Sequence, residues 1–308
     1  MRWRKLGVVW KPDGTLPWAR SHATCPTPVR LSDTLIRVYI QCRDENNVGR
    51  VGYVDVLASN PLSVQQVSNE PVLDVGVPGS FDDNGVLQTC VIKVGDTRLY
   101  MYYVGFELSY QIRYRLLTGL AVSTDGGCNF NRIKRTPILE RSDDELYFRG
   151  GPFVLSGDAC FKMWYVAGSQ WIELGGKSMP VYDLRYMESE NGIDWPPKGR
   201  VSMAITDPDE HGFGRPFVIN EEGRYKLFCS VRKRSLQRYR LGYAESEDGI
   251  HWSRMDEKLG LDVSQNGWDS DSVEYSAVIK AAGKTYLFYN GNDFGATGFG
   301  VAELVEGG

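Results

Sequence analysis

A chain of 308 residues with 42% hydrophobic, 24% charged and 12% aromatic residues has the make-up of a globular protein with a large core, which excludes long disordered stretches. A formal charge of -4 and a pI near 5.6 exclude the basic face of a nucleic-acid binder. No apolar run reaches the ~18 residues of a membrane span, and the opening MRWRKLGVVWKPDG lacks the apolar stretch and cleavage site of a secretory signal, so the expectation is a cytoplasmic protein with no nucleic-acid or membrane partner.

The first predicted element is a strand over Trp3 to Trp10. Beyond it the chain repeats itself. A short apolar strand recurs as CPTPVRL, LQTCVIK, GGPFVLS, GRPFVIN and YSAVIKA, with central valines Val29, Val91, Val154, Val218 and Val278 at intervals of about sixty residues. An aromatic-rich strand follows each one (LIRVYIQCRD, RLYMYYVGFE, CFKMWYVAGS, RYKLFCSVRK, TYLFYNGND), and then a third (VGRVGYVDVL, LTGLAVSTDGG, YDLRYMESENG, RLGYAESEDG, GFGVAELVEG). Alternation with aromatic and β-branched residues marks strands rather than helices. Three of the third strands end in a related turn: Ser123 to Phe130, Ser189 to Trp195 and Ser246 to Trp252. Asp or Asn before Gly is hairpin-turn chemistry.

A fourth, edge strand follows in the first four units, for example Asn131 to Leu139 or Gly199 to Ile205. The fifth unit runs out of chain, and Trp3 to Trp10 can supply its missing strand. The pattern predicts an all-β fold: one five-bladed β-propeller of four-stranded antiparallel blades, closed by the N-terminal strand. It forms a single domain over 1–308, with blades at about 20–78, 79–142, 143–208, 209–268 and 269–308 plus 1–12. The six cysteines show no C-x-x-C pair and read as buried free thiols. No spacing suggests a metal site or a cofactor fingerprint.

In a propeller the first strand of each blade lines the central channel, so residues just before it gather at one end. Stepping back seven to nine positions from the valines gives Arg20 to His22, Asp82 to Asn84, Glu145 to Tyr147, Asp209 to His211 and Asp269 to Asp271. Clustered carboxylates raise one another's pKa, and glycoside cleavage needs one carboxylic acid and one carboxylate. Asp83, Glu145 and Asp271 are therefore the catalytic candidates. Asp82, His22, His211, Arg43, Arg149, Arg215, Tyr275 and Asn292 are candidates for binding hydroxyls, a phosphate or a sugar face. Turn formation by the aspartates and a surface pair between Arg43 and Asp44 are the bland alternatives.

The five units, the S-x-D/N-G-x-x-W turns and the FDDNG, RPFVI and GWDSD segments resemble the five-bladed glycan-active propellers. These include the arabinanase/xylosidase, invertase and mannoside-phosphorylase families, and glycosidase-like propellers of bacterial polysaccharide gene clusters. The resemblance implies a monomeric or small homo-oligomeric enzyme acting on a sugar or sugar phosphate. Asp83 matches the second aspartate of the arabinanase-like families and Glu145 their glutamate acid. Arg20, Ser21 and His22 stand where the first aspartate would, with Asp44 the nearest acidic substitute. In the phosphorylases phosphate replaces the activated water, and His22, Arg43, His211 and Arg215 resemble such an anion site. Glycosyl cleavage or transfer is thus the leading expectation. Phosphorolysis or a sugar-modifying biosynthetic step is the alternative on the same fold, and a non-catalytic glycan- or protein-binding propeller is the alternative of another class.

Overall fold

The protein is described by a computed structural model over residues 1–157 and 159–306. Strand β1 (Arg2–Trp10) comes first. Then β2 (Ser21–Arg30), β3 (Leu35–Arg43), β4 (Gly49–Leu57) and β5 (Asn60–Val67) make one antiparallel run. A second run holds β6 (Val86–Val94), β7 (Arg98–Leu108), β8 (Tyr114–Ser123) and the short β9 (Asn131–Arg132). The third holds β10 (Phe148–Ser156), β11 (Phe161–Leu174), β12 (Lys177–Ser189) and β13 (Arg200–Met203). The fourth holds β14 (Glu210–Glu221), β15 (Arg224–Lys233), β16 (Arg238–Ser246) and β17 (Ser253–Arg254). In the last run β18 (Glu274–Ala281), β19 (Lys284–Asn290) and β20 (Phe299–Glu306) are joined by β1, which pairs antiparallel with β20 from Arg2↔Glu306 to Trp10↔Phe299.

The edge strands are shorter than the sequence suggests. After Asn131 and Arg132 only an isolated bridge, Thr118↔Leu139, continues the pairing, because the intervening Lys134 and Arg135 favour solvent and Pro137 has no N–H to donate.

Each run's first strand carries a β-bulge. The register slips between Thr24 and Thr27, Gln88 and Cys90, Gly150 and Phe153, Gly214 and Phe217, and Glu274 and Ala277. At four of the five the chain enters the left-handed region, with φ of 60° at Cys25, 59° at Gly151, 42° at Arg215 and 54° at Tyr275. For the three non-glycine residues that conformation costs about 1 kcal/mol or more each, so hydrogen bonds must hold it. Gln88 Nε2 donates to Cys25 O at 2.7 Å, Thr89 Oγ1 to Pro152 O at 2.7 Å, Arg215 Nη1 to Ser276 O at 2.6 Å, and the Cys25 amide to Asn290 Oδ1 at 3.1 Å. The buried histidine of the fourth run, His211, bonds Pro180 O of the third through Nδ1 at 2.9 Å.

A second set of latches joins the runs further out. Tyr39 OH donates to Gly127 O at 3.0 Å, Tyr102 OH to Gly192 O at 2.8 Å and Trp164 Nε1 to Gly249 O at 2.7 Å. In each case an aromatic of one run's second strand holds the Asp-Gly or Asn-Gly turn of the next run. Apolar clusters fill the space between runs, the largest around Trp164, Tyr102, Tyr165 and Phe213. Four of the six cysteines, Cys25, Cys42, Cys90 and Cys229, are buried free thiols, while Cys128 is exposed and Cys160 half-buried. Among the described residues no helix is long and apolar enough to cross a membrane.

Candidate functional site

The bulges converge. Cys25, Thr89, Gly151, Arg215 and Tyr275 all line one cavity of about 530 Å³. Thr24, Gln41, Arg43, Asn47 and Asn84 from the first two runs line it, a set of donors and acceptors suited to hydroxyl groups. Aromatic rings line it as well. Tyr114 packs 5.8 Å from Phe148, Phe148 lies 5.7 Å from Tyr182, and Tyr239 lies 5.5 Å from Tyr275 and 6.0 Å from Phe294. A larger groove of about 970 Å³ lies at the far ends of β10, β14 and β18 and is lined mainly by apolar side chains such as Phe153, Phe217 and Val278. The bulges and the uncompensated charges lie at the smaller cavity, which is therefore the candidate site.

Among the described residues four arginines line this cavity and no Asp or Glu does. The two Nη atoms of Arg215 donate to Tyr275 O, Ser276 O, Pro26 O and Thr27 Oγ1, while its Nε is buried without a hydrogen-bond partner among the described residues. Arg43 has one side-chain bond, from Nη1 to Asn47 Oδ1 at 3.1 Å. Arg113 reaches only Ser178 O at 3.5 Å and Met179 Sδ at 3.7 Å, with its guanidinium 5.5 Å from the Tyr114 ring. Arg232 lies 5.1 Å from the Tyr239 ring and 5.8 Å from that of Phe294, and its Nε is buried without a hydrogen-bond partner among the described residues. None of the four forms a salt bridge among the described residues, whereas Arg37, Arg132, Arg149 and Arg254, set outside the cavity, each do.

Behind the rim the titratable groups are strongly perturbed. Burial and the charge of Arg43 lower the His22 pKa to about 4, against the pull of Asp293. Glu274, next to Tyr275 and fully buried, accepts from Asn290 Nδ2 at 3.0 Å, and burial raises its pKa to about 7. Burial also lowers Arg43, opposed by Tyr275, Asp293 and Glu274. Among the described residues no three His, Cys, Asp or Glu side chains are gathered as a metal site.

Of the residues singled out from sequence, Arg43, Arg215 and Tyr275 line the cavity and His22 stands beside Arg43. The others sit in different surroundings. Asp83 accepts from the Gly79 amide at 2.8 Å within its own turn. Asp82 is buried between Tyr103 OH at 2.9 Å and Arg132 Nε at 2.6 Å. Glu145 is buried against Arg149 Nε at 2.5 Å and Tyr165 OH at 2.8 Å, its pKa raised by burial against the pull of Arg149. Asp44 caps the 44–48 turn, bonding the Asn46 and Val48 amides and Arg50 Nη1. His211 is buried with Nε2 unpartnered among the described residues. Asp271 is exposed, its amide donating to Asn292 Oδ1 at 2.8 Å, which fixes Asn292 as a loop clamp. Sequence reasoning passed over Arg232, which occupies in SVRK the place Arg43 holds in QCRD; that alignment was the available signal. Glu274 and Asp293 carried none.

No protein-family model matches the chain. It is 34% identical over 304 residues to the uncharacterized protein Rv1502 of Mycobacterium tuberculosis, an alignment covering 99% of both chains. It is 26% identical over 240 residues to a 1,2-beta-oligomannan phosphorylase of a Thermoanaerobacter species, covering 75% of this chain and 73% of that one. Among solved structures, a glycosyl hydrolase from Bacteroides ovatus superposes with a TM-score of 0.73 at 14% identity, covering 98% of this chain and 92% of that one. A thermostable family-43 glycoside hydrolase gives 0.66 at 17% identity, covering 92% and 88%. A structure reported for the GH130 family of mannoside phosphorylases and hydrolases acting on Candida mannan gives 0.73 at 14% identity, covering 98% and 93%. The shared fold is that of the glycosidase-like propellers.

Proposed function

The chain belongs to the family of the Mycobacterium tuberculosis protein Rv1502, and from that premise we propose that it is a carbohydrate-active enzyme acting on a glycosyl unit that bears a phosphate. In this reading the antiparallel runs are the blades of one five-bladed domain over 1–308, with the cavity on its axis. The observation that carries the proposal is the cavity wall itself: among the described residues, four arginines and no carboxylate. Arg215 is buried, Arg43 and Arg232 are half-buried and Arg113 is exposed. None of the four forms a salt bridge among the described residues, the nearest opposite charges at Arg43 being Asp293 and Glu274, and a planar fork of donors matches phosphate oxygens. The likeness to an oligomannan phosphorylase supports the same direction.

The residues divide the work. Thr24, Gln41, Asn47 and Asn84 hold sugar hydroxyls, while Arg43 and Arg232 hold the phosphate. Catalysis at the anomeric carbon then breaks one C–O bond and forms another. When phosphate attacks, a proton goes to the leaving oxygen of the acceptor; in the reverse direction phosphate leaves and the acceptor hydroxyl gives up its proton. The arginines stabilise the phosphate charge both ways. Asp293 and His22 flank Arg43 and are the groups available for the proton. His22 stays neutral above its pKa of about 4, free to accept one.

Carboxylate-driven hydrolysis through Asp83, Glu145 and Asp271 is the rival. Turnover of neutral glycosides and glycosyl 1-phosphates, with and without inorganic phosphate, separates the two. The expected result is turnover only with glycosyl phosphates or added phosphate. Hydrolysis of neutral glycosides at a phosphate-independent rate, lost in Asp83→Asn and Glu145→Gln, would sink the proposal.

A further inference from the structure

The cavity wall mixes hydroxyl-binding groups with aromatic rings, and a phosphorylated sugar leaves the rings uncovered. Thr24, Gln41, Arg43, Asn47 and Asn84 supply the polar groups, and Arg113 and Arg232 lie against the rings of Tyr114, Tyr239 and Phe294. There Phe106 and Tyr114, 6.2 Å apart, form one partly exposed patch. Tyr275 and Phe294, 6.5 Å apart and tilted by 37°, form a second. Each patch carries one arginine, and neither arginine has a carboxylate partner among the described residues. Buried Phe148, Tyr182 and Tyr239 lie between the patches and complete the wall. A cavity of about 530 Å³ is in the range of sites that enclose whole drug-sized ligands, larger than a monosaccharide needs.

We propose that the ligand is a nucleoside diphosphate sugar: the glycosyl unit among Thr24, Gln41 and Asn84, the diphosphate between Arg43 and Arg232, and the base stacked on an aromatic patch. The inference rests on the reading of the site as one for a phosphate-bearing glycosyl unit and names what lies beyond the phosphate. A diphosphate carries two negative charges, one for each of Arg43 and Arg232, neither of which forms a salt bridge among the described residues, whereas both Nη atoms of Arg215 already donate to protein acceptors. A planar base suits rings and guanidinium faces that have no hydrogen-bonding pattern of their own. A lipid-linked phosphate shares the anionic group but replaces the plane with a flexible chain.

Calorimetric titration of the full chain distinguishes these. The probes are mannose 1-phosphate, glucose 1-phosphate, UDP-glucose, dTDP-glucose, GDP-mannose and geranyl phosphate. At least one nucleotide sugar is expected to bind about 10-fold or more tightly than its sugar 1-phosphate, the gain one stacked base provides. Phe294→Leu or Tyr114→Leu removes that gain while leaving sugar 1-phosphate affinity in place, and Arg232→Gln weakens both classes. The matching free nucleoside monophosphate competes in the wild type, a test that needs no variant. Nucleotide sugars binding no tighter than sugar 1-phosphates would overturn the inference and leave the proposed function standing. Geranyl phosphate as the tightest ligand would overturn it in favour of a lipid-linked sugar. Binding of none of the anions, with neutral glycosides turned over, would remove the proposed function as well.

Discussion

Glu274 and His22 lie close to the same arginine and titrate in opposite senses. Glu274 has a folded pKa of about 7 against an ordinary carboxyl value near 4.5, so between those values the folded state holds the extra proton and stability falls as pH rises. His22, at about 4, is neutral when folded and protonated when unfolded below pH 6.5, so its contribution is lost as pH falls from 6.5 toward 4. Glu274→Gln keeps an acceptor for Asn290 and removes only the first effect. Thermal melts are expected to show this variant more stable than wild type at pH 8, by about 3 kcal/mol, and equal to it at pH 4. A constant difference across that range would contradict the assignment. Arg232 offers a second case. It is half-buried with its Nε unpartnered among the described residues, and replacing it with an apolar side chain removes a desolvation cost, so Arg232→Met is expected to raise the melting temperature by the equivalent of about 1 kcal/mol while abolishing anion binding. A destabilised variant that still binds anions would show that the charge serves the fold instead.

Turns and bulges govern the element scale. Asp248 accepts from the Ile250 and His251 amides at 2.7 and 2.9 Å and from the Ser246 hydroxyl at 2.9 Å. The same pattern holds Asp125 and Asn191 in their turns. Each turn is then held by an aromatic of the preceding run. Tyr102→Phe leaves Gly192 O with only the Trp195 Nε1 donor at 3.2 Å and is expected to cost about 1 kcal/mol in urea denaturation, with an unchanged cavity. The turns were legible because Ser-x-Asp/Asn-Gly is a local code. Their partners were not, since Tyr102 and Gly192 are 90 residues apart. The bulges were equally hidden, because one extra residue in a strand leaves the alternation on either side intact. That is why the sequence placed the site seven to nine residues before the valines. The bulges add cavity-lining residues two to four before them, as with Thr89 and Val91 or Cys25 and Val29, beside Asn84, which lines the cavity from seven before Val91. Asp83, Glu145 and Asp271 consequently fall beyond the strand starts, in turns of their own.

At the scale of the molecule, hydrogen bonds at the cavity pass from each run to the next and return from the last to the first, through Asn290 to Cys25 and Thr24 Oγ1 to Phe294 O. The outermost strand of the last run is β1, which covers the β20 edge and buries Trp3, whose Nε1 donates to Leu259 O at 2.9 Å. Removing residues 1–11 would leave that edge unpaired, a template for association. The truncated chain is expected to aggregate in size-exclusion chromatography, and a monodisperse, folded truncation would argue against a closing role for β1. This much was legible in the repeat, because a fifth unit short of one strand and an unpartnered strand at the other end complete each other. The charge of the cavity was legible only in Arg43 and Arg215; Arg232 on β15 and Arg113 just before β8 join them only once the runs are assembled. The most direct test is therefore a crystal structure of the protein soaked with a glycosyl 1-phosphate. The result expected places the phosphate within hydrogen-bonding distance of Arg43 and Arg232, with the sugar toward Thr24 and Asn84. A sugar bound instead against Asp83 or Glu145, with the arginines untouched, would contradict it.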